Sequence, residues 1–256
     1  MYLYKYWYLF TFKLKARSVY FLSTVFWVFS QIMTLFFVIL VWTLSNRSDT
    51  NEILNYVLIG NIFFALTGCS AAWSLAETIQ NGKITSKLLY PSSTVMYYFC
   101  NGMVTAILYG VSTLIFIIPF SFFYWNIISI NPLNLLWLIP WVIIGILIRF
   151  FCEFIIGCST FWFRESNGIV QSYMTILPML CGSLIPYNLL SKNFHWLIYT
   201  PFAFTFHHPL QILLGKYSAY EIILTFAGGI FWIIVLFVLA KLSLKKGMKK
   251  NEAVGL

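Results

Sequence analysis

Six apolar stretches, 19–44, 53–76, 98–125, 135–162, 169–187 and 220–242, occupy most of the chain. Each is close to the roughly 20 residues that a helix needs to cross a hydrocarbon core, where every backbone amide must find its partner inside the segment. A water-soluble fold is excluded. Of the 256 residues 61% are hydrophobic and only 9% charged, whereas soluble domains carry roughly 25% charge. The reading is an all-α polytopic membrane protein of six spans in one domain, 1–256. The stretch at 169–187 is the weakest span, because Pro178 and Pro186 interrupt it.

Basic residues set the orientation. With both termini inside, the cytoplasmic side receives Lys5, Lys13, Lys15, Arg17, Lys83, Lys87, Arg164, Lys241, Lys245, Lys246, Lys249 and Lys250. The outer side receives only Arg47, Lys192 and Lys216. That asymmetry puts both termini on the cytoplasmic side, and the plasma membrane is the expected location. The same asymmetry explains the net charge of +9 without nucleic acid as a partner. The first apolar stretch is too long for a signal-peptide core and reads as a retained anchor. The five cysteines form no C-x-x-C pair and read as packing residues. Residues 1–18 are rich in aromatic residues and basic at intervals, with Leu3, Trp7, Phe10 and Leu14 on one side of a helix, as expected of an interfacial helix. Residues 243–256 read as a basic cytoplasmic tail.

The segment 187–220 is too apolar for a solvated loop. Its prolines, Pro201 and Pro209, predict short helices or a re-entrant hairpin dipping into the outer leaflet. His195, His207 and His208 all fall there without an acidic partner, and interfacial positions suit them better than a metal site. No Walker A loop is present; Gly82-Lys83-Ile84-Thr85 lacks the leading glycine and the length needed to cradle phosphate. The cytoplasmic loop 77–97 has its own design. Gly82 permits a turn, Pro91 stops a short helix, and Ile84, Leu88 and Leu89 make one apolar face suited to docking.

Two further constellations lie in the spans. Arg149 sits near the middle of the fourth stretch, with Glu153 four residues on and on the same helix face. The pair either neutralises itself or lines a translocation path. Gly68, Ala72 and Ala76 form a small-xxx-small ridge for close helix packing, within one subunit or between two.

The loop, with an acidic residue, then I-x-x-G and a segment ending L-L-x-P, resembles the cytoplasmic loop of type-2 (ABC-2-like) ABC exporter permeases. Trp42, Phe161-Trp162, Pro201-Phe202, His208-Pro209 and Gly215 extend the resemblance along nearly the whole chain. It implies a type V exporter-like six-span unit with an interfacial N-terminal helix and paired outer re-entrant helices before the last span. It also implies that Gly82, Ile84, Leu88, Leu89 and Pro91 couple to a separate ABC ATPase, that ATP binds on that partner and no cofactor on this chain, and that a second permease completes the pathway. The chain departs from the family where an acidic residue often follows the loop glycine; Lys83 and Thr85 stand here instead. The alternative reading is a channel, immunity or assembly module. A channel should show a polar stripe, whereas Gln31, Asn61, Thr67, Asn101 and Thr105 are scattered.

Overall fold

The computed structural model describes residues 2–18, 21–44, 50–85, 93–123, 132–163 and 166–254. Among them the chain is helical throughout, with α1 (Tyr2–Ser18), α2 (Phe21–Leu44), α3 (Thr50–Leu66), α4 (Ala71–Gln80), α5 (Thr94–Phe123), α6 (Leu138–Cys158), α7 (Asn167–Leu180), α8 (Pro201–Phe204), α9 (His207–Leu213) and α10 (Ala219–Val254). Tight 3-10 turns at Pro132–Trp137 and Ser159–Phe161 extend α6 at both ends. The all-α polytopic class expected from the apolar stretches holds.

Helix α6 is the centre of the bundle. From Ile148 to Phe154 every residue is buried, which a helix apolar on all sides achieves only when neighbours surround it. Phe150, Phe154 and Trp141 fill the core together with Phe63 of α3, Leu75 of α4, Tyr98 of α5 and Phe206. Helix α2 lies outside this core and seals a smaller cluster, in which Leu35 and Ile39 meet Leu54, Val57 and Leu58 of α3. Helix α10 packs through a narrow seam: a Cβ at Gly228 or Gly229 would stand 2.8 Å from the Phe204 ring or 3.1 Å from Ile144. Its outward side carries Ile223, Leu224, Phe231, Ile234 and Val238, all exposed. Only 11% of its most apolar stretch is buried, against 50% for α5 and α6, so the described chain leaves most of the flank of α10 uncovered.

Three expected spans take a different form. The second is not continuous: α3 and α4 meet at an angle of 41° across Thr67–Ser70. The fifth reduces to the 14 residues of α7, about 21 Å long, short of the roughly 30 Å hydrocarbon core. The basic tail continues the last span as one 36-residue helix. Three of the described helices are long and apolar enough to cross a membrane, and the bent pair, taken as one span, makes a fourth. The segment 187–220 is a string of short elements. A 3-10 helix covers Lys192–Tyr199, α8 begins on Pro201 at its first turn, and α9 follows. Helix α1 lies against α5, with Lys13 Nζ 4.8 Å from the centre of the Tyr97 ring. Trp7 does not join an inward stripe, since it is exposed together with Tyr8 and Phe12.

Glycine conformation matters where helices stop. Gly82, Gly182 and Gly215 have φ of 66°, 82° and 70°, a region that side chains with a Cβ rarely enter. Each closes a helix by the same two bonds. For α4 these are Gly82 N–H to Ile79 O and Lys83 N–H to Thr78 O, both 3.0 Å, the pattern that satisfies the last carbonyls of a helix.

Candidate functional site

The break in the second span is the best-organised polar feature of the interior. Leaving a helix at Leu66 and re-entering one at Ala71 orphans carbonyls on α3 and amides on α4, inside an apolar bundle with no water to take them. Helix α6 supplies the partners. Arg149 Nη1 donates to the Phe64 carbonyl at 3.1 Å, while Glu153 Oε2 accepts from the Ala71 amide at 3.0 Å. The two side chains meet each other through Nε and Oε1 at 3.3 Å. The cation therefore sits at the negative C-terminal end of α3 and the anion at the positive N-terminal end of α4, each where the helix dipole favours it. Ser70 makes no side-chain cap of its own, so Glu153 serves as the cap from another helix. The guanidinium also lies 4.1 Å from the Phe64 ring centre.

The break is held further by bonds within α3 and by contacts with α5. Thr67 Oγ1 donates back to the Phe63 and Phe64 carbonyls at 3.1 and 3.3 Å. Ser70 Oγ pairs with Thr105 Oγ1 on α5 at 2.8 Å. Cys69 is close enough to α5 that a Cβ at Gly102 would stand 2.5 Å from its Sγ.

The expected constellations separate on this framework. Arg149 and Glu153 are paired as foreseen, at 7% and 0% exposure, and they face the helix break rather than an open passage among the described residues. Gly68 is not on one ridge with Ala72 and Ala76, because it lies in the break. Ala72 and Ala76 are fully buried inside the chain, against Val170 of α7 and Ile156 of α6. A Cβ at Gly157 of α6 would meet Leu75 Cβ at 3.0 Å and the Ala72 carbonyl at 3.1 Å, so the close approach is between α4 and α6. Of the coupling residues, Gly82 forms the turn that ends α4. Ile84 is 1% exposed and belongs to the main core, so its side chain anchors the loop instead of displaying an apolar face. Leu88, Leu89 and Pro91 lie outside the described residues.

His207 and His208 are buried inside the chain at the start of α9. His208 Nε2 lies 2.9 Å from the Ile198 carbonyl and must donate to it. In the neutral ring Nδ1 is then an acceptor, taking the Tyr217 O–H at 2.9 Å. His207 Nδ1 lies 3.2 Å from Tyr56 OH. The pair thus ties the outer segment to α3 and to the approach of α10. No group of three metal-ligating side chains occurs among the described residues.

Sequence reasoning found the two charges but not what they hold. The available signal was Thr67-Gly68-Cys69-Ser70, a run of hydroxyls and a glycine inside a span, with Arg149 and Glu153 in a later span to answer its unpaired backbone.

A helical bundle with a polar-clamped broken span and a turn-ended α4 defines an all-α polytopic membrane protein. The chain belongs to the ABC-2 transporter family: the family model described as ABC-2 family transporter protein matches residues 27–255. It is accordingly a membrane permease of the ABC class. No curated protein and no solved structure gives a significant match.

Proposed function

We propose that the chain forms half of the translocation pathway of an ABC exporter, with a second permease copy or paralogue as the other half. Separate ATPase subunits drive it, and they dock on the loop 77–97 at the cytoplasmic side. The observation that supports this best is the attachment of α4 at both ends. The Gly82 turn joins it to the loop, with Ile84 seated in the core beside it. At the other end Glu153 holds its first amide to α6. A displacement of the loop then moves α4 and α6 together, while the break at Thr67–Ser70 gives a place for α4 to turn against α3. Leu88 and Leu89 are the apolar contacts offered to the ATPase. Aspartate at both positions is expected to release the ATPase while leaving the permease inserted. A stoichiometric, transport-active complex of that double variant would overturn the docking assignment.

A further inference from the structure

The 3-10 helix Lys192–Tyr199 is lightly attached. Its own hydrogen bonds follow the i to i+3 pattern, whose geometry is poorer than that of an α-helix. Phe194, Trp196 and Tyr199 are exposed at 52%, 60% and 78%, and Leu197 is its one buried side chain, in a small cluster with Tyr187 and Ala203. Beyond that cluster two consecutive carbonyls tie it down. The Ile198 carbonyl accepts from His208 Nε2 on α9 at 2.9 Å, and the Tyr199 carbonyl accepts from Trp232 Nε1 on α10 at 3.0 Å. The first of these tethers can titrate.

His208 and its neighbour His207 are 4% and 3% exposed, and every element packed against them presents a neutral group. Tyr56 OH of α3 stands 3.2 Å from His207 Nδ1, and the Tyr187 ring lies 4.7 Å from the His207 ring. Phe204 of α8 lies 4.5 Å from the His208 ring, and Tyr217 donates to His208 Nδ1 at 2.9 Å. The charges that flank Tyr217 in the chain are engaged elsewhere: Lys216 pairs with Glu52 at 2.8 Å, and Glu221 accepts from the Ser218 amide at 2.7 Å. Lys192 and His195 of the 3-10 helix are exposed. With no carboxylate acting on either ring, burial lowers His208 to about 4, although the Ile198 carbonyl offsets part of the effect. Burial, and then the adjacent His208, lower His207 to about 3. A ring kept neutral by burial takes up a proton when it meets water below its ordinary pKa of about 6.5.

We propose that His208 is an acid-sensitive latch for the 3-10 helix 192–199: the neutral ring holds the helix closed, and a proton taken up by the ring when the helix lifts keeps it open. Lifting also frees the Tyr199 carbonyl from Trp232, one turn beyond the Gly228–Gly229 seam by which α10 packs. The latch therefore bears on the last span. Its sign follows from burial. The closed state binds the proton more weakly than the open one, so closure is at full strength above about pH 6.5, weakens as pH falls, and weakens no further below about pH 4. For this one ring the open fraction should rise about 30-fold between pH 7.5 and pH 5.0. Which compartment supplies the acid rests on the termini-inside orientation; the latch itself does not.

Amide hydrogen exchange of the full chain in nanodiscs, read by mass spectrometry from pH 7.5 to pH 3.5 and corrected for the intrinsic pH dependence of exchange, measures the open fraction. No ATPase is needed, so the result is separate from the exporter reading. Protection over residues 194–200 should fall about 30-fold between pH 7.5 and pH 5.0, while protection over residues 148–154 of α6 stays constant. His208→Gln offers a donor and an acceptor without titrating and should abolish the fall. His195→Gln changes the exposed histidine of the same helix and should leave the fall intact. An unchanged wild type, an undiminished fall in His208→Gln or its disappearance in His195→Gln would overturn the latch. Equal loss over residues 148–154 would also overturn it, as general acid unfolding. If His208→Gln does not fold, the wild-type pH course decides: a fall that begins near pH 6.5 and levels off near pH 4 supports the imidazole, and one confined below pH 4.5 belongs to carboxylates and overturns the assignment.

Discussion

Replacing Glu153 by glutamine tests whether the intramembrane ion pair holds the broken span together. The change leaves the Arg149 guanidinium buried with the Phe64 carbonyl and ring but without its counter-ion. Stranding one partner of a buried pair costs about 3–5 kcal/mol, and the contacts that remain to Arg149 place this case near about 3 kcal/mol. Glutamine still accepts from the Ala71 amide, so Glu153→Ala should cost about 1 kcal/mol more, the worth of a helix cap. Arg149→Met strands the carboxylate, which keeps the Ala71 amide and the positive end of α4; its cost should be comparable or slightly smaller. The double variant Arg149→Met/Glu153→Gln leaves no buried charge. It should be more stable than either single change, with a coupling energy of at least about 2 kcal/mol. Equilibrium unfolding in mixed micelles, followed by tryptophan fluorescence, gives all four numbers. If the double variant equals the sum of the singles to within about 0.5 kcal/mol, or if Glu153→Gln is neutral, the pair does not stabilise the break.

Three glycine positions separate conformation from space. Gly82→Ala meets nothing within 4 Å yet must adopt a φ of 66°; a cost of about 1–2 kcal/mol and faster amide exchange at Lys83 are expected, and unchanged exchange would refute the turn assignment. Gly168→Ala also meets nothing but lies in the first turn of α7, so it should be neutral or stabilise by up to about 1 kcal/mol. Gly157→Ala forces α4 from α6 and should lower the unfolding free energy by about 1–3 kcal/mol; a neutral result would show that the two helices do not touch there. For orientation, a cysteine placed at Ser191 in a cysteine-free background should react with an impermeant maleimide on intact cells. One placed at Thr85 should react only after permeabilisation, and the reverse pattern would invert the topology.

The apolar stretches were legible because a span needs only length and apolarity; α2 and α6 fall within them, and α5 and α10 overlap theirs while running past one end. What periodicity could not reveal was where a stretch bends. The break at Thr67–Ser70 contains no proline, and its polar backbone is answered by Arg149 and Glu153 more than eighty residues away in sequence. The ion pair itself was readable from its spacing of four, but its partners on α3 and α4 are tertiary facts. Ile84 misled for a related reason: an apolar residue in a short loop reads as exposed until the core that receives it is seen. His207 and His208 misled because burial of an imidazole depends on a carbonyl and two phenols that sequence proximity does not announce. The docking residues Leu88 and Leu89 remain a reading of the loop's pattern and of family membership.

The length of α10 has a practical consequence. From Lys241 to Val254 the last helix continues for roughly 20 Å beyond its apolar part. It is pinned on the way, since a Cβ at Gly247 would stand 2.1 Å from the Phe161 ring. The described end of the helix at Val254 is therefore the tip of a stiff pointer and not a loose tether. A fluorophore there, paired with one in the turn at Thr85, would register a change of tilt in the last span as a change in distance, amplified by the length of the arm.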